Sequence, residues 1–198
     1  MLRVGFTGGI GSGKSTISDI FQSSYNIPII DADEISRMLL TPNQEAYQEV
    51  LELFGDDVIL DNGEINRKWL REKIFVQANL REQLEHIIHP RVRNEISQQV
   101  NQVKANYCLI VIPLLVESNM QTVVDRILVV DTSKDNQIQR VISRDNVEPE
   151  QVYKIIESQI DPSKRLEIAD DIITNNGNIQ DLHSQVEYLH QKYLDLSN

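Results

Sequence analysis

Residues 5–16 read GFTGGIGSGKST: five glycines in twelve positions, closed by a lysine and two hydroxyls. No other stretch restricts the possible folds as strongly. Leu2-Arg3-Val4 before it suits a strand, and Ile17, Ile20 and Phe21 after it recur at helical spacing. The glycines therefore occupy a strand-to-helix turn. Bare backbone there can curl so that successive N–H groups face one concavity, which binds anions. The helix N-terminus behind it adds partial positive charge. Gly8-x-x-x-x-Gly13-Lys14-Ser15 fits the P-loop pattern, in which the lysine reaches the β and γ phosphates of a triphosphate and the hydroxyl ligates Mg²⁺.

A P-loop needs a sheet to stand on. Strand-like runs occur at Leu2–Phe6, Ile27–Ile30, Tyr107–Ile112, Ile127–Asp131 and Asp171–Thr174. Helical patterns lie between them. Tyr47, Val50, Leu51 and Phe54 share one face, as do Leu80, Leu84, Ile87 and Ile88, and Ile179, Leu182, Val186 and Leu189 line a final helix. This alternation predicts an α/β fold, a five-stranded parallel sheet with helices on both faces. The run LIVI at 109–112 is apolar throughout and reads as a central strand, buried on both faces. Between Ile30 and Tyr107 no strand is convincing; LDNGEIN at 60–66 is a turn or a very small hairpin. One crossover helix needs far less chain than this. A helical insertion is therefore expected over 35–104, and a polar helical excursion over 134–164. Residues 1–34, 105–133 and 165–198 remain for the core.

The formal net charge is −11, which argues against nucleic acid as a principal partner. The longest apolar run is about half the ~20 residues a membrane helix requires, and no signal peptide precedes the first strand. Cys108 is the single cysteine and sits within an apolar run, so a reduced, buried thiol in the cytoplasm is expected.

Several residues could carry chemistry. Asp31 and Asp33 follow the second strand, at the strand ends where α/β folds bind ligands. Asp33 could accept the proton of an acceptor hydroxyl or cap a helix starting at Glu34. Glu117, after the third strand, could hold Mg²⁺ through water or be a solvated loop acid. Arg140 and Arg144 stand one turn apart in QIQRVISRD. They suit a lid over a phosphoryl group or surface ion pairs. His89-Pro90-Arg91 reads as a corner between two helices. In the NNGN of 175–178, Gly177 suits a turn and Asn178 a helix cap; alternatively the loop holding Asn175 and Gly177 faces an adenine. No His, Cys or acid cluster has zinc-ligand spacing.

The N-K-x-D and D-x-x-G strings of GTPase switches are absent, and the third strand runs into Pro113 rather than the Asp of motor ATPases. A small-molecule kinase fits best. Over nearly its whole length the chain resembles the dephospho-CoA kinases, through GFTGGIGSGKST, IIDADEISRMLL, INRKWL, LEHIIHPRVR, VIPLLVE, VDRILVVD, QIQRVISRD and RLEIADDIITNNG in order. The resemblance implies a P-loop nucleotide-kinase-like three-layer fold with a helical CoA-binding insertion and a lid. It implies transfer of the ATP γ-phosphoryl group to the ribose 3′-hydroxyl of dephospho-CoA, the last step of coenzyme A synthesis. It implies that Gly11, Ser12, Gly13, Lys14, Ser15 and Thr16 bind ATP phosphates, that Asp33 is the base, and that Arg140 is the lid arginine. It also places His89 and Arg91 in the CoA-binding region. Two departures stand beside these contacts: Asn146 where the family often has Gly, and Val116 where it often has Phe. Another P-loop nucleoside or nucleotide kinase, or a non-catalytic ATP switch, are the alternatives.

Overall fold

A computed structural model describes residues 1–197. The chain forms two compact units, Met1–Asp31 with the chain from Gln99 onward, and Ala32–Gln98.

The first unit is built on a five-stranded parallel sheet: β1 (Leu2–Gly8), β2 (Ile29–Asp31), β3 (Tyr107–Val111), β4 (Arg126–Asp131) and β5 (Asp171–Thr174), in the order β2-β3-β1-β4-β5. The middle strand is therefore β1. The LIVI strand, β3, lies between β1 and the edge strand β2; all five of its residues are buried because it too is covered on both faces. The second strand begins at Ile29, two residues later than the sequence suggested, and extends through Asp31.

One face of the sheet is covered by α1 (Lys14–Tyr25) and α9 (Ile179–Leu196), which pack Ile17, Ile20, Phe21, Leu182, Val186, Leu189 and Tyr193 against Val4, Phe6, Leu109 and Leu128. Each such side chain is worth roughly 1.5–3 kcal/mol when fully buried. Ile179, expected on that face, is 42% exposed. On the other face, Leu115 and Val124 fill the space a side chain at Gly5 would take. Cys108 is fully buried there, and burial pushes its thiol up to about 11. Three helices separate β4 from β5: α6 (Lys134–Asp145), α7 (Pro149–Ser158) and α8 (Pro162–Glu167). Of these, α6 and α7 enclose a small apolar cluster of Ile138, Val141 and Val152, against which Ile10 packs.

At the amino ends of the strands, side chains satisfy one another. The Asp171 carboxylate accepts from Arg126, from Lys192 Nζ at 2.6 Å and from the Tyr193 hydroxyl at 3.1 Å. His190 stacks on Tyr25 at 4.1 Å and pairs through Nδ1 with the Tyr107 hydroxyl at 2.8 Å. Arg3 forms a two-pronged ion pair with Asp125.

The second unit is helical: α2 (Ala32–Leu39), α3 (Glu45–Phe54), α4 (Arg67–Val76) and α5 (Ala78–Gln102). LDNGEIN does form a small hairpin, with Ile59 bridged to Ile65. The Tyr47 hydroxyl donates to the Gly63 carbonyl at its tip. The expected corner at His89-Pro90 is absent, because α5 continues through Pro90. Proline removes one helical N–H and crowds the preceding turn. Here the Arg91 guanidinium donates to the Ile87 carbonyl at 2.7 Å, and apolar residues on either side, Ile88, Val92 and Ile96, are buried along one stripe. Among the described residues no helix is long and apolar enough to cross a membrane.

Candidate active site

Parallel strands end on one edge of the sheet. β1 is followed by a connection toward β2 and its neighbour β4 by one toward β5, so the adjacent strands β1 and β4 part there and open a crevice. The glycine loop occupies it. Gly11 and Gly13 have φ of 68° and 95°, the left-handed region that glycine enters at little cost. Close approach adds a second requirement: a Cβ on Gly11 would lie 2.6 Å from the Gln137 carbonyl, and one on Gly13 would lie 2.2 Å from Asn175 Nδ2.

Residues far apart in the chain fix the loop. The Ser12 carbonyl accepts from Asn175 Nδ2 at 2.7 Å, from Thr132 Oγ1 at 3.1 Å and, at the long limit, from Arg140 Nη1 at 3.4 Å. Arg140 also donates through Nη2 to the Asn175 carbonyl and side-chain oxygen at 3.1 and 3.2 Å. The Lys14 ammonium lies over the carbonyls of Gly8 and Gly9, at 2.8 and 3.1 Å. Thus α6 lays one guanidinium on the anion-binding loop. Its neighbour Arg144 does not follow. It is exposed and pairs with Asp145.

Gly13, Thr16, Arg140, Asn175 and Gly177 line one open cavity of about 240 Å³. Asn178 caps α9 as expected, in a reciprocal box with Asp181, whose carboxylate occupies the space beside Gly177. Ser15 and Thr16 are exposed in the first turn of α1. Among the described residues no group of three His, Cys, Asp or Glu could cage a metal. An ion held mainly by phosphates and water needs no such cage, and the exposed Ser15 hydroxyl would fit it as a ligand.

Two contacts join the α7–α8 junction to this edge and a third braces the junction itself, and the sequence reading assigned none of them. The Ile10 N–H donates to Gln159 Oε1 at 3.1 Å, the Ile160 N–H to Glu117 Oε1 at 3.0 Å, and Arg165 Nη2 to the Ile160 carbonyl at 3.3 Å. Glu117 is therefore a tie for this junction. Arg165 opens the quoted string RLEIADDIITNNG and Gln159 stands six residues before it, but nothing in periodicity separates them from solvated helix residues.

The other candidates belong to the helical unit. Asp33 is not an N-cap, since α2 begins at Ala32 and places Asp33 inside its first turn. His89 is half-buried; burial, and then the charges of Arg93 and His86, hold its pKa below the ordinary value against the pull of Glu85. Arg91 pairs with Glu49 at 2.5 Å besides holding the Ile87 carbonyl, which gives it a structural duty within the unit.

The sequence profile of the dephospho-CoA kinases matches residues 2–181. A dephospho-CoA kinase from Photobacterium profundum is 43% identical over 195 residues, covering 98% of this chain and 97% of its own, and one from Coxiella burnetii is 42% identical over 198 residues, covering 100% and 99%. The crystal structure of TT1252 from Thermus thermophilus superposes with a TM-score of 0.85 at 24% identity, covering 96% and 97% of the two chains, which supports the fold. A dephospho-CoA kinase from Campylobacter jejuni superposes at 0.70 with 28% identity, covering 99% and 98%. With that sequence agreement added to a glycine loop held by Asn175 and Arg140, the chain belongs to the dephospho-CoA kinase family.

Proposed function

We propose that this protein transfers the γ-phosphoryl group of ATP to the ribose 3′-hydroxyl of dephospho-CoA, giving coenzyme A and ADP. The observation that carries the reading is the meeting of Lys14 and Arg140 on one glycine loop at the sheet's carboxyl edge. Loop N–H groups cradle the phosphates. Lys14 exchanges its carbonyl partners for the β and γ phosphates. Arg140 turns its donors onto charge that develops during transfer. Asn175 and Gly177 border the cavity that takes the base of ATP. Ser15 would hold Mg²⁺, which neutralises phosphate charge when bound.

The chain leaves the sheet at this edge, passing from β2 into α2, and Asp33 lies two residues beyond the strand. Its carboxylate orients the 3′-hydroxyl and takes its proton. His89 and the α5 segment around it contribute to holding the CoA moiety, and residues 134–164 form the lid. ADP release measured with dephospho-CoA, adenosine, AMP and uridine tests the assignment, together with the mass of the product. Dephospho-CoA should be the acceptor that accelerates release and gains one phosphoryl group. Equal rates with and without it, or preference for a nucleoside, would overturn the reading.

A further inference from the structure

Arg165, on α8, is 6% exposed. Among the described residues it makes no ion pair, and its side chain's one hydrogen bond is the long one to the Ile160 carbonyl. The two acids whose charge reaches it are Glu117 and Asp161, and both are engaged elsewhere. Glu117 accepts the Ile160 N–H, and Asp161 accepts the N–H and hydroxyl of Ser163. Burial works against the guanidinium charge, and these acids offset it incompletely. No atom of Arg165 is among the sealed polar atoms that lack partners, so its unused donors keep contact with solvent.

That solvent-facing side meets the glycine loop. A Cβ on Gly9 would lie 3.2 Å from Arg165 Nη1, and Lys14 Nζ stands 3.1 Å from the Gly9 carbonyl. Two cations therefore converge on one residue of an anion-binding loop. Gln137 Nε2 crowds the same glycine, 2.3 Å from that Cβ position. A buried charge without a partner is expensive to keep, and like charges placed together add to the cost. An anion arriving at Gly9 would relieve both. The lysine of a P-loop reaches the β and γ phosphates, which identifies the end of the triphosphate that lies there.

We propose that Arg165 is a phosphate-binding residue of the transfer site, taking the terminal phosphoryl group of ATP jointly with Lys14 at Gly9. The proposal rests on the ATP-binding part of the reading above and not on the identity of the acceptor. The competing role is a brace for the α7–α8 junction through Ile160.

Nucleotide affinity and thermal melting of Arg165→Met and Arg165→Lys separate the two. Arg165→Met should melt at or above the wild-type temperature without nucleotide, because it removes an unpaired buried charge. Its affinity for a non-hydrolysable ATP analogue should fall by about tenfold or more, while that for ADP changes by less than about threefold. Its kcat/KM should drop roughly a hundredfold, and Arg165→Lys should recover part of both losses. A lowered melting temperature with an unchanged ratio of analogue to ADP affinity would establish the brace and overturn the proposal. Equal weakening of both nucleotides would remove the terminal phosphoryl assignment. If wild-type protein bound no ATP, the proposed function itself would fail, a result distinct from either outcome.

Discussion

Asp33 separates structure from chemistry at the scale of one residue. Inside the first turn of α2, its carboxylate favours the helix dipole by about 1 kcal/mol or less. Asp33→Asn removes that charge but leaves the helix its other first-turn acid, Glu34. Stability should change little, while single-turnover phosphorylation of dephospho-CoA should slow by ~10²–10⁴-fold with ATP still bound. Unaltered turnover would remove Asp33 from the proton transfer. The glycine loop was legible in the sequence because its constraints are local: a positive φ at Gly11 and Gly13 leaves little choice of residue. Arg165 and Gln159 were not legible. Gln159 meets Ile10 across 149 positions, and only the folded chain brings that pair together.

Among the elements, α6 shows how far periodicity reaches. Its buried positions, Ile138 and Val141, mark a packed face, and Arg140 beside them reaches the glycine loop. A lysine keeps the charge of Arg140 but cannot reproduce its paired donors to Asn175. Arg140→Lys should therefore lose about tenfold or more in kcat. Amide exchange across 134–164 should slow when an ATP analogue binds, since the apolar cluster beneath α6 and α7 is small. Equal exchange with and without nucleotide would count against a closing lid. Pro90 marks the limit of local rules. The proline argued for a break in α5, whereas the buried stripe of Ile88, Val92 and Ile96 continues through it. Burial along that stripe outweighed the hydrogen bond that Pro90 cannot donate to the His86 carbonyl, and the Arg91 guanidinium binds the neighbouring carbonyl of Ile87.

For the whole molecule, the sheet's existence was readable and its strand order was not. A continuously apolar run marks a strand covered on both faces but not which interior position it takes, so the composition of β3 could not tell a second position from a middle one. β1 looked less like a core strand because Leu115 and Val124 occupy the space above Gly5. The amino end of the sheet governs acid stability. Burial holds the His190 pKa below 6.5, so an unfolded chain takes that proton first. Stability should be complete above about pH 6.5 and decline as pH falls through the lower folded-state value. His89, also depressed, acts in the same direction. Asp171 is raised by burial, but the bonds from Arg126 and Lys192 outweigh this and hold it below 3.8, adding a second loss in stronger acid. Melting temperatures between pH 8 and 5 should fall less steeply for His190→Phe than for wild type; parallel curves would exclude His190 from the first decline. The sheet also settles how the protein meets its own proposed acceptor, which carries a thiol. The chain's single cysteine, Cys108, is sealed inside β3 and held protonated well above neutrality. Incubated with the oxidised, disulfide form of dephospho-CoA, the folded protein should gain no mass, whereas in urea it should gain one adduct. The interior strand thus makes the enzyme inert to mixed-disulfide formation with the compound it is proposed to phosphorylate.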